Sequence, residues 1–357
     1  MIIDRVELAN FRNHKETALA LSPGVNILVG SNAQGKTNLL EAVFLTCVGR
    51  GWRTNKDKDM INFNEQSARV KTVVARKFGK VEVEINLARA TKKTIKINGI
   101  PVQRMGELMG QVNCVFFSPD ELRLVKDAPA DRRRFLDIDI SQIDKAYFFA
   151  LLKYNKTLLQ RNALLKSKSE DIARGLDIWD VQLANAGAII IVRRLEFIEM
   201  LRSGVVTVHN FLTGGKESIE VGYEGITVTR VTVEETLLEQ IKSAREKDLR
   251  LRTTTVGPHR DDLRILIDGK DVRHFASQGQ QRTVALSLKL AELEIFRKLT
   301  GEMPVLLLDD VFSELDAQRQ ARLMKALSKC QSIVTAVAFD GDAKNVHVVK
   351  VQSGSVC

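Results

Sequence analysis

The sequence is short of cysteine, and what there is does not pair. Cys47, Cys114, Cys330 and Cys357 are the only four in 357 residues, and no two form a CxxC unit, so neither a disulfide framework nor a zinc hook is indicated. Long apolar runs are missing too. None approaches the roughly 20 residues that cross a bilayer, and Met1-Ile2-Ile3-Asp4-Arg5 lacks the successive regions of a signal peptide, so a soluble cytoplasmic protein with no membrane partner is expected. No internal repeat, low-complexity tract or flexible linker is visible, which argues against solenoids and tethered arrays. Acidic residues are outnumbered, 44 Asp and Glu against 54 Lys and Arg.

The imbalance is concentrated in one stretch. Between Arg50 and Arg104 fourteen Lys or Arg face five Asp or Glu, close to the whole net charge of +10. A basic region of this kind points to a polyanionic partner, or else to a solvated sheet face. Hydrophobic residues make up 44% of the chain, enough for a sizeable core.

The stretch with the clearest chemistry is Gly30-Ser31-Asn32-Ala33-Gln34-Gly35-Lys36-Thr37. It lies between the apolar run Val25 to Val29 and a helix-like segment from Asn38, which is the strand, glycine loop and helix context of phosphate binding. Gly30 and Gly35 free the backbone so that amides can turn toward a polyphosphate, and the helix presents its positive end to the same anion. Lys36 is expected on the β and γ phosphates, and Thr37 on Mg²⁺. Far downstream, the apolar run Pro304 to Leu308 ends in Asp309-Asp310. There Asp309 would hold the metal, and Asp310 would orient or deprotonate the attacking water. Ser277-Gln278-Gly279-Gln280-Gln281 stands at the start of another helix, where the Ser277 hydroxyl and the Gly279 amide form a second anion site.

Other segments give the frame. Period-two alternation at Val81, Val83, Ile85 and Leu87, with turns at Phe78-Gly79 and Asn98-Gly99, predicts antiparallel hairpins. Helices are predicted after Ser118-Pro119-Asp120-Glu121, near Ser141, over Trp179 to Leu201, and from Thr232 with a capping box to Glu235. The stripe Tyr147, Leu151, Tyr154, Leu158 and Leu165 reads as core, with the two long helices packed as an antiparallel arm. Asp268-Gly269 marks a hairpin, and Ile333 to Ala338 a second buried parallel strand. His259 and Arg260, beside Pro258, read as structural.

The Ser-x-Gly-x-Gln pattern resembles the signature of ABC-type ATPases, and Ser313-Glu314-Leu315-Asp316 their D-loop. Within that class the chain is most similar to the RecF family of the SMC-like branch. The resemblance runs through Leu8 to His14, the GKTNLLEA continuation of the glycine loop, Phe117 to Leu122, Arg132 to Asp137 and Gly257 to Asp262. It implies an α/β fold: an ABC-type P-loop ATPase head with antiparallel β hairpins, and an inserted helical arm. Residues 1–123 and 251–357 would form the head, and 124–250 the arm.

It also implies that Arg12 and Asn13 lie near the phosphates, and that Ser277 caps the γ phosphate held by a second subunit. The expected activity is weak, DNA-stimulated ATP hydrolysis with ATP and Mg²⁺ as cofactors. The expected partners are double-stranded, gapped or junction DNA, a second copy of the chain in ATP, and a RecR-like mediator. The implied setting is recombinational repair, replication and the SOS response at the nucleoid.

Two departures from the wider class are visible. No clear Q-loop glutamine follows Val115 to Phe117, Gln111 being a weak substitute, and no switch histidine follows Ile333 to Ala338. A transporter ATPase subunit is the main rival reading, weakened by the basic region and the helical insertion. A long-armed SMC protein would need more chain before Ser277, and a guanine-reading NKxD motif fails at Lys58.

Overall fold

Alternation opens the chain. In β1 (Ile2–Phe11) Ile3, Val6, Leu8 and Phe11 are buried among more exposed neighbours, and a register shift between Ile3 and Arg5 accommodates their uneven spacing. β2 (His14–Ala20) turns back on it, β3 (Val25–Val29) leads into the glycine loop, and α1 (Lys36–Val48) leaves it. From Leu39 to Val48 every residue of α1 is buried, as expected of a helix with no polar face. The predicted hairpins are β4 (Ser67–Arg76), β5 (Gly79–Ala88), β6 (Thr94–Ile97) and β7 (Ile100–Pro101), which with β1 and β2 form an antiparallel sheet ordered β2-β1-β4-β5-β6-β7. The computed structural model describes residues 1–167, 172–226, 232–312, 316–339 and 346–356.

β8 (Cys114–Phe117) is wholly buried. The helix predicted after Ser118 is only a 3₁₀ turn, Pro119–Leu122, and a short α2 (Arg123–Lys126). Pro129 is the reason: it starts α3 (Pro129–Ile143) and holds Ala128 extended, at ψ 156°, because a residue before proline is driven out of the helical region. Helix α4 (Lys145–Lys166) begins later than the expected Ser141, since Asp144 caps it by accepting from the amides of Ala146 and Tyr147. Its buried face holds Tyr147, Tyr154 and Leu165 as expected, but also Arg161.

Helix α5 (Ile172–Thr213) has 42 residues and outruns the predicted segment at both ends. One window of it is long and apolar enough to cross a membrane by composition, and half of that window is buried within the protein. The helix also buries Asp180 and Arg194. The sequence reading missed its length because charged residues interrupt the apolar run.

β9 (Ile219–Glu224) follows, then α6 (Val233–Ser243) and α7 (Arg245–Leu251), which break at Ala244. Thr232 makes no side-chain cap bond, so the box expected with Glu235 does not form. β10 (Asp262–Ile267) and β11 (Lys270–Asp271) form the hairpin read at Asp268-Gly269, and α8 (Val272–Phe275) ends this part. Then come α9 (Gln278–Thr300), β12 (Val305–Leu308), α10 (Ala317–Leu327), β13 (Ser332–Ala336), β14 (Val346–Gln352) and β15 (Ser355–Val356). The second large sheet runs β15-β14-β3-β13-β12-β8, parallel except for β15.

Two compact units result. The first takes Met1–Leu122, Thr207–Glu217 and Ser277–Cys357, and the second Arg123–Val206 and Ser218–Ala276. The first boundary is one residue from the expected 123. The second lies at Ala276 rather than 250, because β10 pairs with β9 along Asp262 to Ile267 and so ties that segment to the insert. Cys47, Cys114 and Cys330 are buried and in no disulfide, and Cys357 lies outside the described residues.

Candidate active site at the phosphate loop

No side chain caps α1, so its first amides stay open toward the loop, where a helix end favours an anion. The loop is shaped by close contact. At Gly35, with φ 114°, a Cβ would lie 2.8 Å from His14 Nε2, which excludes any side chain there. His14 Nε2 is 3.1 Å from the Gly35 carbonyl, and burial pulls its pKa down.

The C-terminal hairpin braces the other side. Gly354 donates its amide to Gln34 O at 2.9 Å, Ser353 its amide to Gln34 Oε1 at 2.6 Å, and Asn13 Nδ2 reaches Gln34 O at 3.1 Å. At Gly30 a Cβ would sit 2.3 Å from Val351 O. Asn32, Ala33, Gln34, Gly35, Lys36 and Thr37 then line a cavity of about 360 Å³ with Asn13, Asn38, Arg53, Asp310 and Thr335. Ser31 contributes its carbonyl, which accepts from Lys36 Nζ at 2.9 Å, as Gly30 O also does. Burial lowers the Lys36 pKa, against the pull of Asp310 and Asp309.

The strand end meets the loop as its sequence predicts. Asp309 keeps register with β8 through its amide on Phe117 O, at 2.9 Å. Its carboxylate accepts from Thr37 Oγ1 and Thr335 Oγ1, both at 2.8 Å. Burial raises its pKa, against the hydroxyls of Thr335 and Thr37. Asp310 then turns into the left-handed region, φ 47°, its amide held by Thr335 Oγ1 at 2.9 Å. Such a backbone is uncommon for a residue with a side chain, and here it accompanies a carboxylate on the cavity wall.

The donor set fits a hard divalent cation. Thr37 Oγ1 and Asp309 Oδ1 are 2.8 Å apart, close to the spacing of about 2.9 Å between neighbouring oxygens on octahedral Mg²⁺. Among the described residues no cluster of three His, Cys, Asp or Glu could hold a metal. Mg²⁺ takes one or two protein oxygens and completes its shell with phosphates and water.

Not every predicted residue reaches the cavity. Arg12 pairs with the buried Glu41, 3.0 Å away, and also donates to Asp59 O; it is not a lining residue. Arg53, which sequence reading missed, is. It pairs with Glu41 at 2.6 Å and bonds Asn38, which in turn donates to Asn13 at 2.7 Å. Thr335 was missed as well. A hydroxyl in the otherwise apolar run Ile333 to Ala338 was the available signal.

Ser277 and Gly279 do not line the cavity. Ser277 is exposed and caps α9: its Oγ accepts from Gln280 N at 3.3 Å, while Gln280 Oε1 accepts from Ser277 N at 2.9 Å. Gln111 donates to Glu107 O, away from the cavity. Ser313 to Leu315 of the expected D-loop lie outside the described residues, and Asp316 caps α10. His259 belongs to the second unit, its ring nitrogens 2.7 Å from Tyr154 OH and 3.1 Å from Thr254 O.

The chain is similar to known proteins along its length. The sequence model of the RecF/RecN/SMC N terminal domain matches residues 2–354. A DNA replication and repair protein RecF of Agathobacter rectalis is 43% identical over 361 residues, covering 99% of this chain and 98% of that protein. One of Clostridium botulinum is 41% identical, covering 100% and 99%. A solved structure of the recombination mediator protein RecF with ATP, in the RecFOR pathway, superposes with a TM-score of 0.90 at 39% identity, covering 100% and 97%. An Smc head bound to a winged-helix domain of ScpA, at 17% identity and TM-score 0.57, shares the fold. With an ABC-type ATPase head built around its glycine loop, the chain belongs to the RecF family of DNA replication and repair proteins, in the SMC-like class.

Proposed function

We propose that the protein is an ATP-dependent DNA-binding clamp of recombinational repair. It dimerises on ATP at gapped or junction DNA, helps a RecR-like mediator direct recombinase loading, and hydrolyses ATP slowly. The observation that carries this reading is the convergence of Lys36, Thr37 and the Asp309-Asp310 strand end on one cavity, with the signature residues Ser277 and Gly279 outside it. A second copy would then supply the signature.

Lys36 and the open amides of α1 bind the β and γ phosphates, and Arg53 adds a cation on the cavity wall. Thr37 and Asp309 hold Mg²⁺, which neutralises charge on the phosphates when bound. Asp310 orients the attacking water and accepts its proton as the bond from the γ phosphorus to the leaving ADP oxygen breaks. Aspartate is one methylene shorter than the glutamate usual at this position in the class, which favours slow turnover. A slow step lets the ATP-bound dimer stay on DNA while partners arrive.

The test has two arms. Binding to duplex, single-stranded and gapped DNA is measured with and without ATP, and ATP should tighten it. Ser277→Arg should abolish ATP-induced dimers in sedimentation while monomers still bind ATP. Loss of the α9 cap costs only about 1 kcal/mol, so folding survives. Unchanged dimers in this variant would overturn the shared-site reading.

A further inference from the structure

The fourteen cations between Arg50 and Arg104 are not all equally available. On the outward face of the antiparallel sheet, Glu7, Lys71, Glu84 and Lys96 stand opposite one another across β1, β4, β5 and β6, alternating in sign. Lys71 pairs with Glu82 at 2.8 Å, Lys80 with Asp4 at 3.0 Å and Lys93 with Asp57 at 3.1 Å. The face is largely self-neutralised. Among the described residues without an ion pair, Lys56, Lys58 and Lys92 lie at the end of the sheet where β1 finishes at Phe11, Lys56 and Lys92 in loops and Lys58 in the 3₁₀ turn Asp57–Met60.

At that same end lies a cleft of about 260 Å³, lined by Asn10, Arg69, Asn86 and Lys92 and floored by the small residues Ala9 and Ala88. Next to Asn62, whose amide bonds the lining residue Asn10, Phe63 is 97% exposed. Its turn is held firmly: Asn62 N donates to Asn10 O at 2.8 Å and Asn62 Nδ2 to Arg12 O at 2.8 Å, while Arg89 donates to Glu65 O at 2.8 Å and Asn62 O at 3.1 Å. A large apolar ring on a turn fixed by four bonds is displayed to solvent, not left there by mobility. Asn86 donates one of its two amide N–H groups to Glu84, 2.9 Å away, which fixes how the amide is turned.

We infer that this cleft is a subsite for an unpaired nucleotide. Phe63 stacks on a base, Asn10 and Asn86 meet the base edge, and Lys92 takes the neighbouring phosphate. An aromatic platform joined to a basic track is how single strands are held without sequence preference. A paired base cannot offer its face to Phe63, so the site distinguishes a gap from intact duplex. The cleft is smaller than the roughly 300 Å³ of a small-molecule site, which suits one base or sugar rather than a free cofactor. The inference rests on the DNA-binding reading above, and gives it a place where unpaired DNA is told apart.

The test uses the full chain with ATP, a duplex, and the same duplex carrying a single-stranded gap with 2-aminopurine in it. Phe63→Ala should weaken gapped-DNA binding at least about fivefold, the low end for one base on an aromatic ring, and remove the 2-aminopurine quenching, with duplex affinity unchanged. Lys92→Gln should lower the salt slope on single-stranded DNA by about 0.7. Both residues are exposed, so both variants should fold. If gapped and duplex binding fall equally, or neither changes, the subsite is overturned while the DNA-binding reading stands. If an acidic peptide competes at the cleft and an unpaired strand does not, the occupant is a protein and the subsite is likewise overturned. Wild-type protein that binds no DNA at all overturns the DNA-binding reading itself.

Discussion

The phosphate cavity of the first unit and the buried polar core of the second are both built from charged residues, but by opposite means. The cavity takes eight contiguous residues, Gly30 to Thr37, and closes them with a strand end around an open volume of about 360 Å³. In the second unit Arg161 is fully buried, with Nε 2.6 Å from Asp180 and Nη1 2.7 Å from Asp248, both carboxylates also fully buried. Arg245 adds a bond to Asp180 at 2.7 Å, and Thr254 one to Arg161 at 2.9 Å. A parallel set joins Arg132 to Asp262 through two bonds, of 2.6 and 2.9 Å, and Arg194 to Asp137 at 2.7 Å and Pro258 O at 2.6 Å. In the first case the charged groups border open space; in the second they pair with opposite charges inside the fold. A charged residue therefore marks chemistry only where it borders open space.

The sharpest break of this contrast is Asp310→Asn. It keeps size and hydrogen bonding but removes the basic oxygen, so steady-state ATP hydrolysis should fall by about 10² to 10⁴, the range for a general base. ATP binding and dimers should persist. Asp309→Asn should instead lose metal-dependent binding. Wild-type-like hydrolysis by Asp310→Asn would remove Asp310 from the chemistry.

Arg161→Ala tests the other side. It leaves Asp248 buried without its cation and Asp180 with Arg245 alone, at a cost of about 3 to 5 kcal/mol. Amide exchange in the second unit should accelerate accordingly. Equal protection in variant and wild type would mean that water or Arg245 satisfies the two carboxylates.

His259 gives a pH signature to the same unit. Burial pulls its pKa from 6.5 down to about 4, so between those values the unfolded chain binds the extra proton. Its contribution is complete above pH 6.5 and is lost as pH falls toward 4, amounting to about 3 kcal/mol. Thermal unfolding from pH 7 to 4.5 should show a steeper loss in wild type than in His259→Asn. Parallel curves would contradict the buried neutral ring.

The smallest effect expected is at Gln34→Ala. It removes the 2.6 Å bond to the Ser353 amide but keeps the main-chain bonds of the loop. One hydrogen bond is worth about 1 kcal/mol, so ATP affinity should drop about fivefold with kcat little changed. An equal fall in kcat would show that the hairpin positions the reacting groups too.

The sequence alone determined the glycine loop, the Asp309-Asp310 strand end and the hairpins, because each depends on neighbours a few residues apart: local backbone freedom, helix amides and period-two burial. It also placed the paired blocks Arg132 to Asp137 and Gly257 to Asp262 without showing what they do. Only the tertiary structure joined them, through Arg132 and Asp262, 130 residues apart. It likewise brought Arg53 and Thr335 to the cavity, set Arg12 on Glu41, extended the insert to Ala276 through the pairing of β9 with β10, and neutralised the outer sheet face. Each of these is a pairing of charges, hydroxyls or strands across long stretches of chain, and composition records how many such groups exist but not which of them meet.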